Sequence, residues 1–157
     1  MDIKLKNIIT AAKDGEFDVL IHCQNIYHSW GKGFVVPLSI AFPDAKKADL
    51  ATKKGDSSKL GTYSKAEIIT TSKKEIMILN CYCQKSYGQG NHFILESFKK
   101  VLKSLNTEFK GKRIAYPLIG AGRAGGSWSE ISKIIDETLT DVKHCLYILD
   151  ASQQSHQ

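Results

Sequence analysis

The sequence has no apolar run close to the roughly 20 residues that a membrane-spanning helix needs. Residues 1–13 alternate charged and aliphatic side chains and contain no apolar signal-peptide core. Lysine and arginine form no run longer than a pair, so no nucleic-acid-binding arm is indicated. Internal repeats are absent as well. These absences predict a cytoplasmic protein with no membrane partner. Nucleic acid stays open as a partner, but no run of positive charge supports it.

The composition is that of an ordinary globular domain. Of the 157 residues, 42% are hydrophobic and 24% are charged, which predicts a single domain over residues 1–150 and a polar tail at 151–157. The net charge of +6 is compatible with a small polyanionic ligand such as a nucleotide. Scattered lysines on a solvated surface explain the charge equally well.

No C-x-x-C pair occurs among the four cysteines, which are Cys23, Cys81, Cys83 and Cys145. Each lies in or at the end of an apolar, strand-like run, where a buried free cysteine is the common outcome. A cytoplasmic setting also disfavours disulfides. The alternative is a zinc site built from Cys81, Cys83, His22 and His28, but both sulfurs would lie on one face of one strand. We expect no metal, no cofactor and no disulfide.

The apolar patterns alternate between strands and helices. Strands are predicted at residues 1–9, 17–23, 66–71, 75–83, 114–119 and 145–149. Helices are predicted at residues 34–41, 44–53, 91–105 and 127–139. In the last helix, one apolar face carries Trp128, Ile131, Ile135 and Leu139. Doubly buried strands alternating with helices predict an α/β fold of α/β/α layers around a largely parallel sheet.

A glycine-rich loop joins the strand at 114–119 to the last helix. Within seven residues it contains Gly120, Gly122, Gly125 and Gly126. Ser127, three residues before Glu130, predicts a capping box at the helix start. Unshielded backbone N–H groups and the helix dipole suit such a loop to a phosphate or pyrophosphate. The alternative is a tight turn whose glycines only satisfy backbone angles.

Two nucleotide-binding classes are disfavoured. Residues 120–125 fit G-x-G-x-x-G, but this unit is the last of the chain and leaves no room for the second half of a dehydrogenase. Gly31-Lys32-Gly33 lacks the spacing of a P-loop, which argues against an NTPase. Loops at residues 25–33, 84–90 and 120–126 all leave the carboxyl ends of predicted strands. We expect them to converge on one cleft.

Five segments carry a resemblance to a known family. They are V-L-I-H-C-Q-N at 19–25, S-W-G-K-G at 29–33, F-P-D at 42–44, N-C-Y-C-Q-K-S-Y-G at 80–88 and P-L-I-G-A-G-R-A-G-G-S-W at 117–128. In this order they resemble a macrodomain, and more narrowly the small stand-alone ADP-ribose 1″-phosphate phosphatases of yeast, bacteria and bacteriophages. The resemblance covers residues 3–149. It implies a three-layer α/β/α fold with a mixed, centrally parallel sheet and a cleft that holds ADP-ribose.

The resemblance also implies roles for single residues. Gly31, Lys32 and Gly33 belong to a loop around the distal ribose and phosphate. Asn25 orients the distal ribose, and His22 assists proton transfer at the terminal phosphate, with His28 as a rival for that role. Gln84 and Tyr87 line the distal ribose side. The loop that grips the diphosphate comprises Ile119, Gly120, Ala121, Gly122, Arg123, Ala124, Gly125 and Gly126, and Lys32 and Arg123 are suited to neutralise phosphate charge.

The chain departs from the family pattern at three places. Many macrodomains carry an acid after the first strand that reads the adenine amino group, whereas here Thr10 and Ala11 stand in that region and Asp14 is the only nearby acid. Ser127 stands where the phosphatase branch usually has an aspartate, so it takes either that catalytic position or the role of a helix cap. Ala124 stands where ADP-ribosyl hydrolases carry an aspartate, which disfavours their reaction. We expect a phosphatase that releases the terminal phosphate of ADP-ribose 1″-phosphate. The alternatives are a non-catalytic module that binds ADP-ribose or a related nucleotide signal, and an ADP-ribosyl hydrolase.

Overall fold

The computed structural model describes residues 1–88, 90–121 and 125–149. Its strands are β1 (Asp2–Leu5), β2 (Val19–Asn25), β3 (Tyr63–Ile69), β4 (Glu75–Gln84), β5 (Arg113–Tyr116) and β6 (Lys143–Ile148). Its helices are α1 (Ile8–Lys13), α2 (Val35–Ala41), α3 (Pro43–Leu50), α4 (Leu95–Glu108) and α5 (Trp128–Thr138), with a short 3₁₀ turn at Ser57–Lys59. The six strands form one sheet in the order β1-β6-β5-β2-β4-β3. Only the β3–β4 pair of this sheet is antiparallel, so the predicted mixed, centrally parallel sheet is confirmed.

Helices cover both faces of the sheet because successive residues of a strand point to opposite sides. In β2, Val19 and Ile21 pack towards α4 and α5, whereas Leu20 packs towards α1, α2 and α3. On α5, the buried residues include Trp128, Ile131 and Ile135, as the sequence pattern predicts. The result is the predicted three-layer α/β/α arrangement.

Several element boundaries differ from the sequence-based predictions. The strand predicted at residues 1–9 ends at Leu5, and all four residues of β1 are exposed at the edge of the sheet. A helix, α1, follows because the Asn7 side chain accepts hydrogen bonds from the N–H groups of Ile9 (2.8 Å) and Thr10 (3.2 Å). Pro43 does not merely interrupt a helix; it begins α3, where a missing N–H costs nothing.

The prediction that all four cysteines are free is wrong. Cys23 at the end of β2 and Cys83 at the end of β4 form a disulfide, with 5.7 Å between their Cα atoms. The two residues lie 60 positions apart in the chain and meet only because β2 and β4 are neighbours in the sheet. Cys81 and Cys145 are free.

Two further findings concern the described residues only. No helix among them is long and apolar enough to cross a bilayer. No group of three or more His, Cys, Asp or Glu side chains among them is placed to hold a metal ion. The predicted boundary at residue 150 and the tail at 151–157 lie outside the described part of the chain.

Candidate functional site

A cavity of about 630 Å³ opens at the carboxyl ends of β2, β4 and β5. Its volume is in the range of small-molecule sites. Three loops supply its lining: one follows β2, one follows β4 and one follows β5. Of the predicted site residues it is lined by His22, Asn25, Gly31, Lys32, Gly33, Gln84, Tyr87, Ile119 and Gly120. The predicted convergence of the three loops is therefore confirmed for their described residues.

The loop after β2 is organised by the side chain of Asn25. Its Oδ1 accepts hydrogen bonds from the N–H groups of Tyr27 (2.8 Å) and Ser29 (3.3 Å), and its Nδ2 donates to the carbonyl of Ser29 (3.3 Å). Asparagine favours such turns because its short amide reproduces backbone hydrogen bonds. Asn25 lines the cavity, but its hydrogen bonds in this structure hold its own loop.

Further along this loop, the backbone N–H groups of Gly31, Lys32 and Gly33 meet no hydrogen-bond acceptor within the described residues. All three residues are exposed and line the cavity. A Cβ atom added to Gly31 would find no heavy atom within 4 Å, so its Cα faces open space. Backbone donors that point into open space are suited to an anion. The ammonium group of Lys32 adds positive charge at the same wall.

His22 lies under this loop. Its ring is buried against Trp30 and Phe34, with ring centroids 5.9 and 6.0 Å away. Burial lowers the pKa of His22, and the hydrogen bond with Asn80 opposes that shift only in part. Since the Asn80 amide group donates to Ala45 O and Ser64 Oγ, its Oδ1 accepts from His22 Nε2 over 2.6 Å. The Nε2–H of His22 is therefore engaged by Asn80, and a hydrogen bond with the Cys23 backbone opposes the lowering of its pKa as well.

The loop after β5 owes its glycines to close packing. A Cβ on Gly120, whose φ is +69°, would lie 2.6 Å from the Phe93 ring. One on Gly125 would lie 2.9 Å from the carbonyl oxygen of Gly90, and one on Gly126 would lie 2.5 Å from that of Gly120. Close packing therefore requires glycine at these three positions, and at Gly120 and Gly125 the positive φ does so as well. Ile119 and Gly120 also line the cavity.

The loop after β4 contributes the rim of the cavity. Tyr87 is 58% exposed and meets Tyr27 edge to face, with 6.1 Å between ring centroids. Gln84 ends β4 and forms an isolated bridge with Phe93. Tyr87 and Gln84 therefore line the cavity, with Tyr27 packed against Tyr87.

No protein-family model matches the chain. An uncharacterised 17.5 kDa protein of enterobacteria phage T4 is 34% identical over an alignment of 125 positions, which covers 74% of this chain and 77% of the phage protein. The macrodomain of Thermus aquaticus DarG superposes with a TM-score of 0.73 at 22% identity, covering 93% of this chain and 96% of that one. A Bacteroides thetaiotaomicron protein of unknown function gives 0.75 at 23% identity, covering 95% and 99%. Thermosipho africanus DarTG, solved with ADP-ribose, gives 0.74 at 15% identity, covering 94% of this chain and 43% of that one.

The chain belongs to the family of this phage protein, and its fold is that of a macrodomain. In this macrodomain the structure does not bring every predicted site residue to the cavity. Ala121, Gly125, Gly126 and Ser127 are described but are not among the lining residues. Gly122, Arg123 and Ala124 lie outside the described residues.

Two residues with predicted roles, Ser127 and His28, make other contacts in this macrodomain. Ser127 occupies the N-cap position of α5, but its side chain makes no capping hydrogen bond and its Oγ lies 3.1 Å from that of Ser129, so the predicted capping box is wrong. His28, the rival of His22, lies 3.3 Å from the hydroxyl of Thr52 and is not among the lining residues.

Sequence reasoning missed the buried polar groups behind the cavity. Asp49 of α3 is fully buried and accepts hydrogen bonds from Tyr82 Oη (2.6 Å), Trp30 Nε1 (2.7 Å) and Gln24 Nε2 (3.3 Å). In the sequence, Asp49 is one acid in a charged helix, and nothing in its neighbourhood distinguishes it from the exposed Asp44. Only the packing of α3 against β4 and the first loop reveals it.

Proposed function

We propose that the cavity binds ADP-ribose. The observation that carries the proposal is that the backbone N–H groups of Gly31, Lys32 and Gly33 meet no acceptor among the described residues, while all three residues line a cavity at the ends of central strands. Thermosipho africanus DarTG and a Trypanosoma brucei macrodomain, both similar to this fold, were solved in complex with ADP-ribose, which supports the same ligand class here.

The reaction that we propose is hydrolysis of the terminal phosphate of ADP-ribose 1″-phosphate. Water attacks the phosphorus, the bond from phosphorus to the ribose oxygen breaks, and ADP-ribose and phosphate leave. The N–H groups of the first loop and the Lys32 ammonium would stabilise the phosphate oxygens. His22 lines the cavity, and its lowered pKa favours the uncharged form that a general base requires, which supports the prediction that it assists proton transfer.

A non-catalytic ADP-ribose module is the second candidate. Its support is that Asn25 and His22 make their hydrogen bonds within the protein and that Ser127 is exposed and away from the cavity lining. Phosphate release from ADP-ribose 1″-phosphate separates the two candidates. Release by the wild type that His22→Ala removes, with ADP-ribose affinity kept, supports the phosphatase. Tight binding without release supports the module.

The binding proposal is tested by calorimetric titration of ADP-ribose into Gly31→Glu and Gly31→Gln. Gly31 has open space beside its Cα, so both side chains fit without disturbing the fold. Glutamate adds a negative charge where the diphosphate or terminal phosphate is expected, whereas glutamine adds the same bulk without charge. We expect Gly31→Glu to lose binding at least tenfold beyond Gly31→Gln. Equal affinity of the two variants would contradict an anion site at this loop.

A further inference from the structure

Asp49 is a buried carboxylate to which the proposed reaction gives no role. It belongs to α3, is 0% exposed, and does not line the cavity. A carboxylate is stable in such surroundings only when donors surround it. Three donors surround it, and they come from three different segments: Tyr82 from β4, Gln24 from β2 and Trp30 from the loop after β2.

Two of these donors connect Asp49 to the cavity wall. The indole N–H of Trp30 donates to Asp49 Oδ2 over 2.7 Å, and Trp30 directly precedes Gly31. Gln24 donates to the same oxygen and also to the carbonyl of Ser29 over 3.1 Å. The segment just before the unpaired N–H groups is therefore tied to α3 at two adjacent residues.

The other end of the loop is held from the same side. The Lys59 ammonium donates to the carbonyl of Ile26 (3.2 Å) and to the Thr52 hydroxyl (2.9 Å), and it lies 4.9 Å from the centre of the Tyr82 ring. The N–H of Gly55 donates to the same Ile26 carbonyl over 2.7 Å. The segment 26–30, which directly precedes residues 31–33, is therefore held at both of its ends.

We propose that Asp49 is a positioning residue that, through Trp30 and Gln24, holds the backbone N–H groups of residues 31–33 in the arrangement that receives the ligand's phosphate. The proposal rests on the proposed ADP-ribose site. Donors arranged before binding do not have to be ordered during it, so a fixed loop increases affinity without adding a contact. The alternative is that Asp49 only stabilises the core between α3 and β4.

The variant that separates these roles is Trp30→Phe. It removes the indole N–H but keeps an aromatic ring beside His22, and it leaves Asp49 its bonds to Tyr82 and Gln24. Asp49→Asn is the conservative variant. The oxygen of the asparagine still accepts hydrogen bonds from Trp30 and Gln24. Its NH₂ group donates to the oxygen of the Tyr82 hydroxyl, whose own hydrogen then turns towards Ser64. Glu108→Gln is the matched control, because Glu108, like Asp49, accepts from a tyrosine hydroxyl, that of Tyr63, but does not line the cavity.

The readouts are ADP-ribose affinity by calorimetry and backbone ¹⁵N relaxation of residues 31–33 without ligand. We expect Trp30→Phe to weaken binding on the order of tenfold and to lower the order parameters of residues 31–33 from about 0.85 to below about 0.6. Asp49→Asn and Glu108→Gln should stay within about threefold of the wild-type affinity, since both keep the loop anchored. In Asp49→Asn only the indole resonance of Trp30 should shift, with the Trp128 indole as internal reference.

A Trp30→Phe variant that keeps both affinity and a rigid loop would overturn the proposal and leave Asp49 a core residue. Failure of the wild type to bind ADP-ribose would instead refute the proposed function. In that case the relaxation data still show whether Asp49 holds residues 31–33 through Trp30, because they are recorded without ligand. A flexible loop in Trp30→Phe supports the anchor, and a rigid loop refutes it.

Discussion

A methyl group at Gly120 would meet the ring of Phe93 in a turn that already has an unusual backbone angle. The Cβ of alanine would lie 2.6 Å from two carbons of that ring and 3.2 Å from Ile131 Cδ1. The φ angle of Gly120 is +69°, in the left-handed region. Gly120→Ala therefore combines two independent costs at the floor of the cavity.

The magnitude follows from these two costs. The left-handed conformation costs a non-glycine residue about 1–2 kcal/mol. Forcing a methyl group into packed surroundings costs about 1–3 kcal/mol, because Phe93 must leave its rotamer or the loop must shift. We expect a total loss of about 2–5 kcal/mol in the free energy of unfolding. For a chain of this length, a loss of about 3 kcal/mol lowers Tm by about 6–12 °C.

Urea unfolding of Gly120→Ala against Gly31→Ala measures this loss. Gly31 has no positive φ and no neighbour within 4 Å, so its alanine variant should stay within about 1 kcal/mol of the wild type. Adding Phe93→Ala to Gly120→Ala should recover part of the loss, with a coupling energy of about 1 kcal/mol or more. Equal stabilities of the two alanine variants would refute the packing explanation for the glycines of this loop.

Two further predictions concern covalent and electrostatic links between distant segments. Cys83→Ser, or reduction of the wild type, should lower the free energy of unfolding by about 4 kcal/mol, because the disulfide to Cys23 closes a 60-residue loop. Urea unfolding with and without dithiothreitol measures this loss. A wild type whose stability does not change with the reductant would contradict the prediction. Burial alone would raise the pKa of Asp18, but the backbone N–H and guanidinium of Arg113 and the ammonium of Lys74 outweigh it and lower that pKa to about 2. This stabilisation is present above the unfolded pKa of about 3.9 and is lost as pH falls towards 2. The free energies of unfolding of the wild type and Asp18→Asn should therefore converge over that window. A difference in stability between the two that stays constant from pH 5 to 2 would refute the prediction.

The sheet and the cavity were predictable from the sequence because their signals are local. Apolar runs locate β2 and β4 to within two residues at each end, and the apolar face of α5 is visible in Trp128, Ile131 and Ile135. The loops that leave these elements carry glycines and polar residues that no core element needs. Strand ends in a parallel sheet then bring the loops together without further information.

Where the local predictions failed, a competing local interaction was stronger than the pattern. At the N-terminus, alternation of charged and aliphatic residues suggested a strand up to residue 9, but the Asn7 side chain caps a helix from Ile8. At residues 117–119, the apolar run continues beyond β5, and Pro117, which has no N–H to donate to a neighbouring strand, is the first residue outside it. The remaining apolar residues, Leu118 and Ile119, line the cavity instead.

The sequence by itself determined which segments form strands, which loops line the cavity, and where on the sheet those loops lie, because these properties depend on residues close together in the chain. Only the tertiary structure decided the partners of individual side chains. Cys23 meets Cys83, His22 meets Asn80, and Trp30 meets Asp49 across separations of 60, 58 and 19 residues. Such pairs exist because strands and helices pack in one particular order, and no local pattern records that order. The loop that presents its N–H groups to the cavity is therefore visible in the sequence, but the groups that hold it in place are not.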